Sequence, residues 1–406
     1  MKYPITQTAF LLLNLLLLSA CSHVDSKSEH VQNSSSKNIR IATFNVSMEA
    51  NNYVEQGASQ QALSTALSDA LATGEHQQIK NIAEIIQTVR PDVLLLNEFD
   101  YLESTELGIT AFQQNYLNVS QQGLAPIDYD YAYLAPVNTG VKTPLHDESS
   151  RLTHFGFGKY PGQYGMVVLS QFPIKVDEIR TFQHFLWKDM PNNLMPLDAN
   201  GKNWYNQAET NIFRLSSKSH WDLPISICDS QLHVLASHPT PPVFDGAEDR
   251  NGRRNHDEIR FWKDYINAEK SSYHYDDNGL KGGMVEQNAF VILGDLNASP
   301  VEGDAHKNAI SQLLNHPKVN NNFTPKSLGG ALNKPNNPNA ASHTASWGMR
   351  ADYVIPSSDL TVIDSGVFWP APNDQNAYLV SSRSASSDHR LVWVEVNLPN
   401  VSLDCL

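Results

Sequence analysis

The chain has 406 residues, 41% of them hydrophobic, which is enough to bury a sizeable core. Its 22 prolines and 21 glycines mark a loop-rich fold. A net charge of -14 repels polyanions at long range, so a broad basic groove for duplex nucleic acid is excluded as the default, although a divalent cation reverses that sign locally.

At the N-terminus, Lys2 precedes an apolar run from Phe10 to Leu18 that only Asn14 interrupts. The run is short for a membrane span and fits the apolar part of a secretory signal. It ends in Leu18-Ser19-Ala20-Cys21, which resembles the lipobox of bacterial lipoproteins. The resemblance implies a signal peptide over residues 1–20 and a lipid anchor at Cys21, so the membrane is one expected partner. Ser22, rather than Asp, after the Cys implies the outer membrane, facing the periplasm or the cell surface. The plainer alternative is an ordinary signal peptide with a chance Cys. Residues 21–38, rich in Ser, Asn and Lys, read as a flexible tether. Residues 39–406 show no repeat and no second linker, and are expected to form one domain. An oxidising compartment permits a disulfide between Cys228 and Cys405, while the apolar run Pro224–Cys228 equally suits a buried free thiol.

Strands and helices then alternate. Ile39–Asn45 is a short apolar strand. From Gln78 to Arg90, the residues Ile79, Ile82, Ala83, Ile85, Ile86 and Val89 share one helical face, and Pro91 ends the helix. Asp92–Asn97 (DVLLLN) is a buried strand. Met166–Ser170, Leu232–Ser237, Ala289–Gly294, Ala351–Ile355 and Leu391–Val396 are further predicted strands, and Gly108–Leu117, Asn255–Ala268 and Asp304–Leu314 predicted helices. Long irregular stretches cover Gly123–Gln163, Thr181–Leu223 and Pro325–Trp347. Loops of that length are expected to rim a site.

Polar residues recur at the strand ends. Asn45 ends the first strand, Glu98 the second, His238 a later one, and Asp295 with Asn297 another. Asp352 opens the ADYVI strand, and Asp388 with His389 precedes the last. Rigid strands that deliver carboxylates at their mouths suit an enzyme. The acids and amides supply hard oxygen ligands for a divalent metal, and the two imidazoles supply donors for a charged oxygen. Phosphate-ester hydrolysis needs this inventory.

The segments ATFN, LLNE, SH, GDLN, ADYV and SDH also occur in the order of the endonuclease/exonuclease/phosphatase superfamily, which the chain resembles from Ile39 to Val396. That superfamily includes DNase I, exonuclease III-type repair nucleases, neutral sphingomyelinases and inositol-polyphosphate 5-phosphatases. The resemblance implies an α/β fold, a DNase I-like four-layer α/β/β/α sandwich of two mixed sheets flanked by helices. It implies Asn45, Glu98 and Asp388 as metal ligands, with magnesium the usual ion and manganese or calcium also suitable. Asp295 would orient or activate the attacking water, Asn297 would contact phosphate, and Asp352 would fix the tautomer of His389. His238 matches the position of a general acid. Some repair-type members carry an Asp two residues after the first Asn; here that residue is Ser47, so the resemblance does not carry a second-metal role to that spot.

Each of these residues alone has a plainer reading: Asn45 as a strand-end turn, Asp388 as a cap, His389 as a surface imidazole. Their shared order favours function. The stretch Asp245–Arg260 carries Arg250, Arg253 and Arg254, candidate phosphate-binding groups whose alternative is a solvated, salt-bridged helix start. His184, Trp187, Lys188, Trp204, Tyr205, Lys218, His220 and Trp221 read as a satellite core in preference to a ring-stacking surface. The expected function is therefore divalent-metal-dependent hydrolysis of a phosphate ester, mono- or diester. Two alternatives remain: an exported nuclease, with duplex nucleic acid not the favoured substrate, and a non-catalytic surface lipoprotein that uses the fold to bind. No protein partner is implied.

Overall fold

Eleven strands run through the described residues: β1 (Asn38–Met48), β2 (Val93–Phe99), β3 (Tyr131–Tyr133), β4 (Met166–Ser170), β5 (Arg180–Thr181), β6 (His220–Ile227), β7 (Ser230–Ser237), β8 (Ala289–Asp295), β9 (Asp352–Pro356), β10 (Thr361–Val367) and β11 (Val392–Asn397). The computed structural model describes residues 38–145, 150–284 and 288–398. The signal segment, Cys21, most of the expected tether and Cys405 lie outside the described residues. Cys228 is disulfide-bonded.

The strands form a six-stranded sheet in the order β10-β11-β1-β2-β4-β3 and a five-stranded sheet in the order β5-β6-β7-β8-β9. Each sheet has one parallel pair, β1 with β2 and β7 with β8, and its other pairs are antiparallel. Both parallel pairs therefore send two strand C-termini to one edge. Alternation along β8 explains the layering. Val291 and Leu293 face the other sheet, in a core shared with Phe44, Val46, Leu94 and Leu96, while Phe290 and Ile292 face away.

Helices cover the two outer faces. Helices α1 (Gln60–Thr73) and α2 (Gln77–Val89) bury Leu67, Leu71, Ile79, Ile82 and Ile86 against the first sheet. The short α3 (Gln207–Ile212) closes on itself with a capping box between Asn206 and Glu209. Helix α4 (Arg250–Tyr265) buries Ile259, Phe261, Trp262 and Tyr265 against the second sheet. The result is the four-layer α/β/β/α sandwich of the DNase I-like class.

Several elements differ from expectation. Helix α1 was hidden by its polar Gln, Ser and Thr content; Ser59 caps it by accepting from the Ala62 amide, and Gly74 ends it at φ +64. Strand β6 carries His220, Asp222 and Pro224, which break its apolar alternation. Because β5 pairs with it only at Trp221 and Asp222, Pro224 lies beyond that pairing. The helix expected over Gly108–Leu117 is two π-helical turns, Glu106–Thr110 and Gln113–Leu117. Of the helix expected over Asp304–Leu314, only Ser311–Leu314 is helical.

Candidate active site

The two sheets meet at a polar mouth built from the strand ends named above. Asn45 and Asn97 lie opposite each other toward the C-terminal ends of β1 and β2, just before an irregularity in their pairing. Asp295 and Asp352 lie opposite each other across β8 and β9. Polar bonds join the sheets: Asn45 Nδ2 donates to Asp295 Oδ2 at 3.1 Å, and the Asp295 amide donates to Asn97 Oδ1 at 3.1 Å. Gly294 lets β8 approach β7 here, since a Cβ at this position would sit 2.0 Å from the Ser237 carbonyl oxygen.

Asp295 is the hub. Its Oδ1 accepts from the Asn297 amide at 3.1 Å, and its Oδ2 lies 3.4 Å from His238 Nε2 and 3.6 Å from His389 Nε2. On its other side, His389 Nδ1 lies 2.9 Å from Asp352 Oδ2, which also accepts from Thr344 Oγ1 at 2.7 Å. All of these side chains are buried. Burial alone would raise the Asp295 pKa, but the positive His389 and the hydrogen bonds from His238 and Asn45 hold it well below the usual carboxylate range. Burial opposes charge on His389 too. Asp352 and Asp295 outweigh it and lift the imidazole to about 10, so His389 is held as a cation between two acids. Burial raises Asp352 to about 6 against the opposing field of His389. His238 is shifted the other way, down, by burial and by Lys218.

Glu98 sits at the mouth in a left-handed conformation, φ +59, costly for a side chain of this kind and a common mark of functional strain. Among the described residues, no hydrogen bond or ion pair reaches its carboxylate. It forms with His238 and Asp295 a group whose ligand atoms lie within 4.8 Å of one another; Asp295, Asp352 and His389 form a second. An unpartnered carboxylate beside an ionised one and an amide oxygen fits a hard divalent cation. Asp388 does not belong to either group. It bonds Arg383 and Ser47 instead.

A cavity of about 450 Å³ opens over these groups, lined by Glu98, Asn297, Arg383, Asp388, His389 and Trp347. The Trp347 ring stands edge-on to His389, with centroids 5.0 Å apart. Phe244, 88% exposed, forms its outer lip.

None of the three candidate phosphate arginines lines this cavity. Arg254 is buried and donates to the carbonyls of Leu215, Phe155 and Arg214. Arg250 holds Glu248 and the Phe244 carbonyl. Arg253 donates to the Glu248 carbonyl and lines a separate cavity with Lys188 and Tyr205. The aromatic loop is a satellite core, as expected for Trp187 and Tyr205, which are buried. Lys218 is an exception within it. Its side chain, also buried, lies within the electrostatic reach of Glu258, Glu98 and Asp295.

Residues 42–389 match the model of the Endonuclease/Exonuclease/phosphatase family. The chain belongs to this family. The family hydrolyses phosphoester bonds with metal ions. Solved family structures resemble it at low identity. An endonuclease/exonuclease/phosphatase from Beutenbergia cavernae is 17% identical, with 90% of this chain and 72% of that one covered at a TM-score of 0.46. An endonuclease/exonuclease/phosphatase family protein from Leptotrichia buccalis is 14% identical, with 89% and 100% covered at 0.45. The human Nocturnin catalytic domain with bound sulfate is 14% identical, with 89% and 94% covered at 0.41. No curated protein matches the chain.

Sequence reasoning singled out Asn45, Glu98, His238, Asp295, Asn297, Asp352 and His389, and these converge. It missed Glu49 and Arg383. The one signal for Arg383 was its place five residues before Asp388; Glu49 follows Asn45 by four.

Proposed function

We propose that this chain is a phosphoric ester hydrolase in which Asp295 orients an attacking water and His389 supports the phosphoryl group. The observation that carries the reading is the set of donors on Asp295. Asn45, the Asn297 amide, His238 and His389 all converge on one buried carboxylate that stays ionised. An ionised acceptor fixed on four sides can hold a water hydrogen in one direction at no cost of reorganisation during reaction.

His389 is pinned by Asp352 through Nδ1, and its Nε2 faces the cavity side of Asp295, where an anionic phosphoryl oxygen would find a charged donor. His238 is kept neutral and donates toward Asp295, so it positions the carboxylate; proton donation to the leaving group, the role the family resemblance suggests, would require it to charge first. Asn297 presents its side chain at the cavity wall. A divalent cation, magnesium in the first instance, held by Glu98 with Asp295 and Asn45, would neutralise phosphoryl charge and ease deprotonation of water.

The substrate class is a phosphomonoester or phosphodiester. The Cys21 lipobox and the acidic net charge favour an exported, lipid-anchored enzyme working on small phosphate esters over one working on duplex DNA. The test uses the full chain in detergent with magnesium, manganese, calcium or chelator. Substrates are bis-p-nitrophenyl phosphate, p-nitrophenyl phosphate and plasmid DNA, with Asp295→Ala and His389→Ala as controls. Metal-dependent turnover lost in both variants supports the reading. A folded protein with neither turnover nor metal binding returns the chain to the binding-module alternative. For the anchor, a Cys21→Ser chain that stays in the membrane fraction refutes lipidation.

A further inference from the structure

Asp388 was expected to ligate a metal, but the structure gives it other partners. Its Oδ2 accepts from Arg383 Nη1 at 3.1 Å, and its Oδ1 accepts from Ser47 Oγ at 3.3 Å. The other arm of the same guanidinium, Nη2, donates to Glu49 Oε1 at 3.2 Å. Arg383 thus forks between two carboxylates, one just beyond β1 and one just before β11. Neither compact group of potential metal ligands among the described residues contains Asp388 or Glu49.

Three further observations bear on this fork. Ser47, beside Asp388, carries a neutral hydroxyl and so adds no negative charge at this spot. Glu49 is buried, its Oε2 has no hydrogen-bond partner, and Arg383 is the guanidinium paired with its Oε1. The Arg383 side chain is half exposed and lines the cavity beside Glu98, Asp388 and His389. A guanidinium has five N–H donors in a planar fork; two are used here, and three are left.

We propose that Arg383 takes the place of a second divalent cation: it forks between the carboxyl groups of Asp388 and Glu49, and it presents its remaining N–H donors to a non-bridging oxygen of the substrate phosphoryl group, leaving room for one metal ion. The proposal rests on the phosphoester reading above and goes beyond it in the number and kind of cations. It also reassigns the phosphate-binding arginine from the Arg250–Arg254 stretch to Arg383, which lines the cavity. A rim ion pair with no such role would be worth little and would not change ion or phosphate binding. Lysine is a poor substitute, because one ammonium cannot bridge both carboxylates in a plane and still face the cavity.

The experiment is titration calorimetry on the full chain in detergent, with Mn²⁺ alone and then with inorganic phosphate at saturating Mn²⁺. Wild type is compared with Arg383→Met and Arg383→Lys, each checked for folding by its melting transition. The expected result is one Mn²⁺ per wild-type chain. Arg383→Met, which leaves both carboxyl groups without their guanidinium partner, gains a second and weaker ion and binds phosphate at least 10-fold more weakly; Arg383→Lys falls between. Two Mn²⁺ per wild-type chain, or an Arg383→Met chain that binds phosphate as tightly as wild type, overturns the proposal. These binding readouts stand whether or not any ester is turned over, so failure of the hydrolase reading shows separately, as absent turnover in the wild type.

Discussion

Glu49→Gln in the metal-free protein tests the electrostatics of the mouth. Glu49 is 4% exposed, and burial followed by repulsion from Glu98 raises its pKa from 4.5 to about 8, against the pull of Arg383. The folded state therefore binds one more proton than the unfolded chain between those values. Stability is untouched below pH 4.5, falls as pH rises through the window, and carries the full cost above pH 8. One proton corresponds to a slope of about 1.4 kcal/mol per pH unit, and the whole shift to an upper bound of about 5 kcal/mol. Glutamine keeps a carbonyl for Arg383 and removes the titration, at a cost of about 1 kcal/mol or less for the lost ion pair. Urea unfolding followed by tryptophan fluorescence, in chelator at pH 5, 6.5 and 8.5, is the assay. Wild type should be equal or slightly better at pH 5 and the variant more stable by a few kcal/mol at pH 8.5. Parallel pH curves for the two proteins would refute a buried, raised Glu49.

Asp295→Asn and His389→Gln should each lower turnover on the preferred ester by roughly 10²–10⁴-fold with a smaller change in KM, since both act on charge that develops during reaction; steady-state kinetics decides. Gly294→Ala should destabilise the fold by about 2 kcal/mol or more, because its Cβ would meet the Ser237 carbonyl at 2.0 Å and push β7 from β8; thermal melts read this. Lys218→Met should raise the His238 pKa, read by NMR titration, because burial and Lys218 together hold it down.

What was legible in the sequence follows from where the information sits. The strands of the inter-sheet core are continuous apolar runs, DVLLLN or FVILGD, and the polar residues that end them stand out. That contrast located Glu98 and Asp295. Strand β6 was illegible because Pro224 and Asp222 interrupt it, and the partners of the Asp222 carboxylate among the described residues are distant in sequence, His233 Nδ1 at 2.6 Å and Tyr265 Oη at 2.6 Å. The arginines misled for the opposite reason. A cluster of positive charge reads as an anion site, yet Arg250 and Arg253 find Glu248 and nearby carbonyls, and Arg254 finds the carbonyls of Leu215, Phe155 and Arg214. Arg383 carries no such cluster signal, and its position depends on β1 and β11 being neighbours. That adjacency brings residues 49 and 388 together, and no local pattern encodes it.

The same adjacency explains why the mouth tolerates so much buried polarity. The sheets enclose an apolar core that includes Phe44, Leu96 and Leu293, and Asn45, Asn97 and Asp295 lie one or two residues beyond these. Asn45, Asn97 and Asp295 therefore bond across the gap between rigid strand ends and cannot relax toward water without unzipping β1 or β8. Some capacity goes unmet: Asn97 Nδ2 and His238 Nδ1 are buried without a partner among the described residues. Each such atom costs about 1–3 kcal/mol, a sum that only an extensive apolar core can offset. The donors and acceptors are thus fixed before any ligand arrives, and an incoming phosphoryl group or cation meets groups already desolvated and already aimed. Preorganisation of this kind follows from the sandwich itself, whereas the choice of ester must lie in the parts that the core does not constrain, Trp347, Phe244 and the loops that carry them.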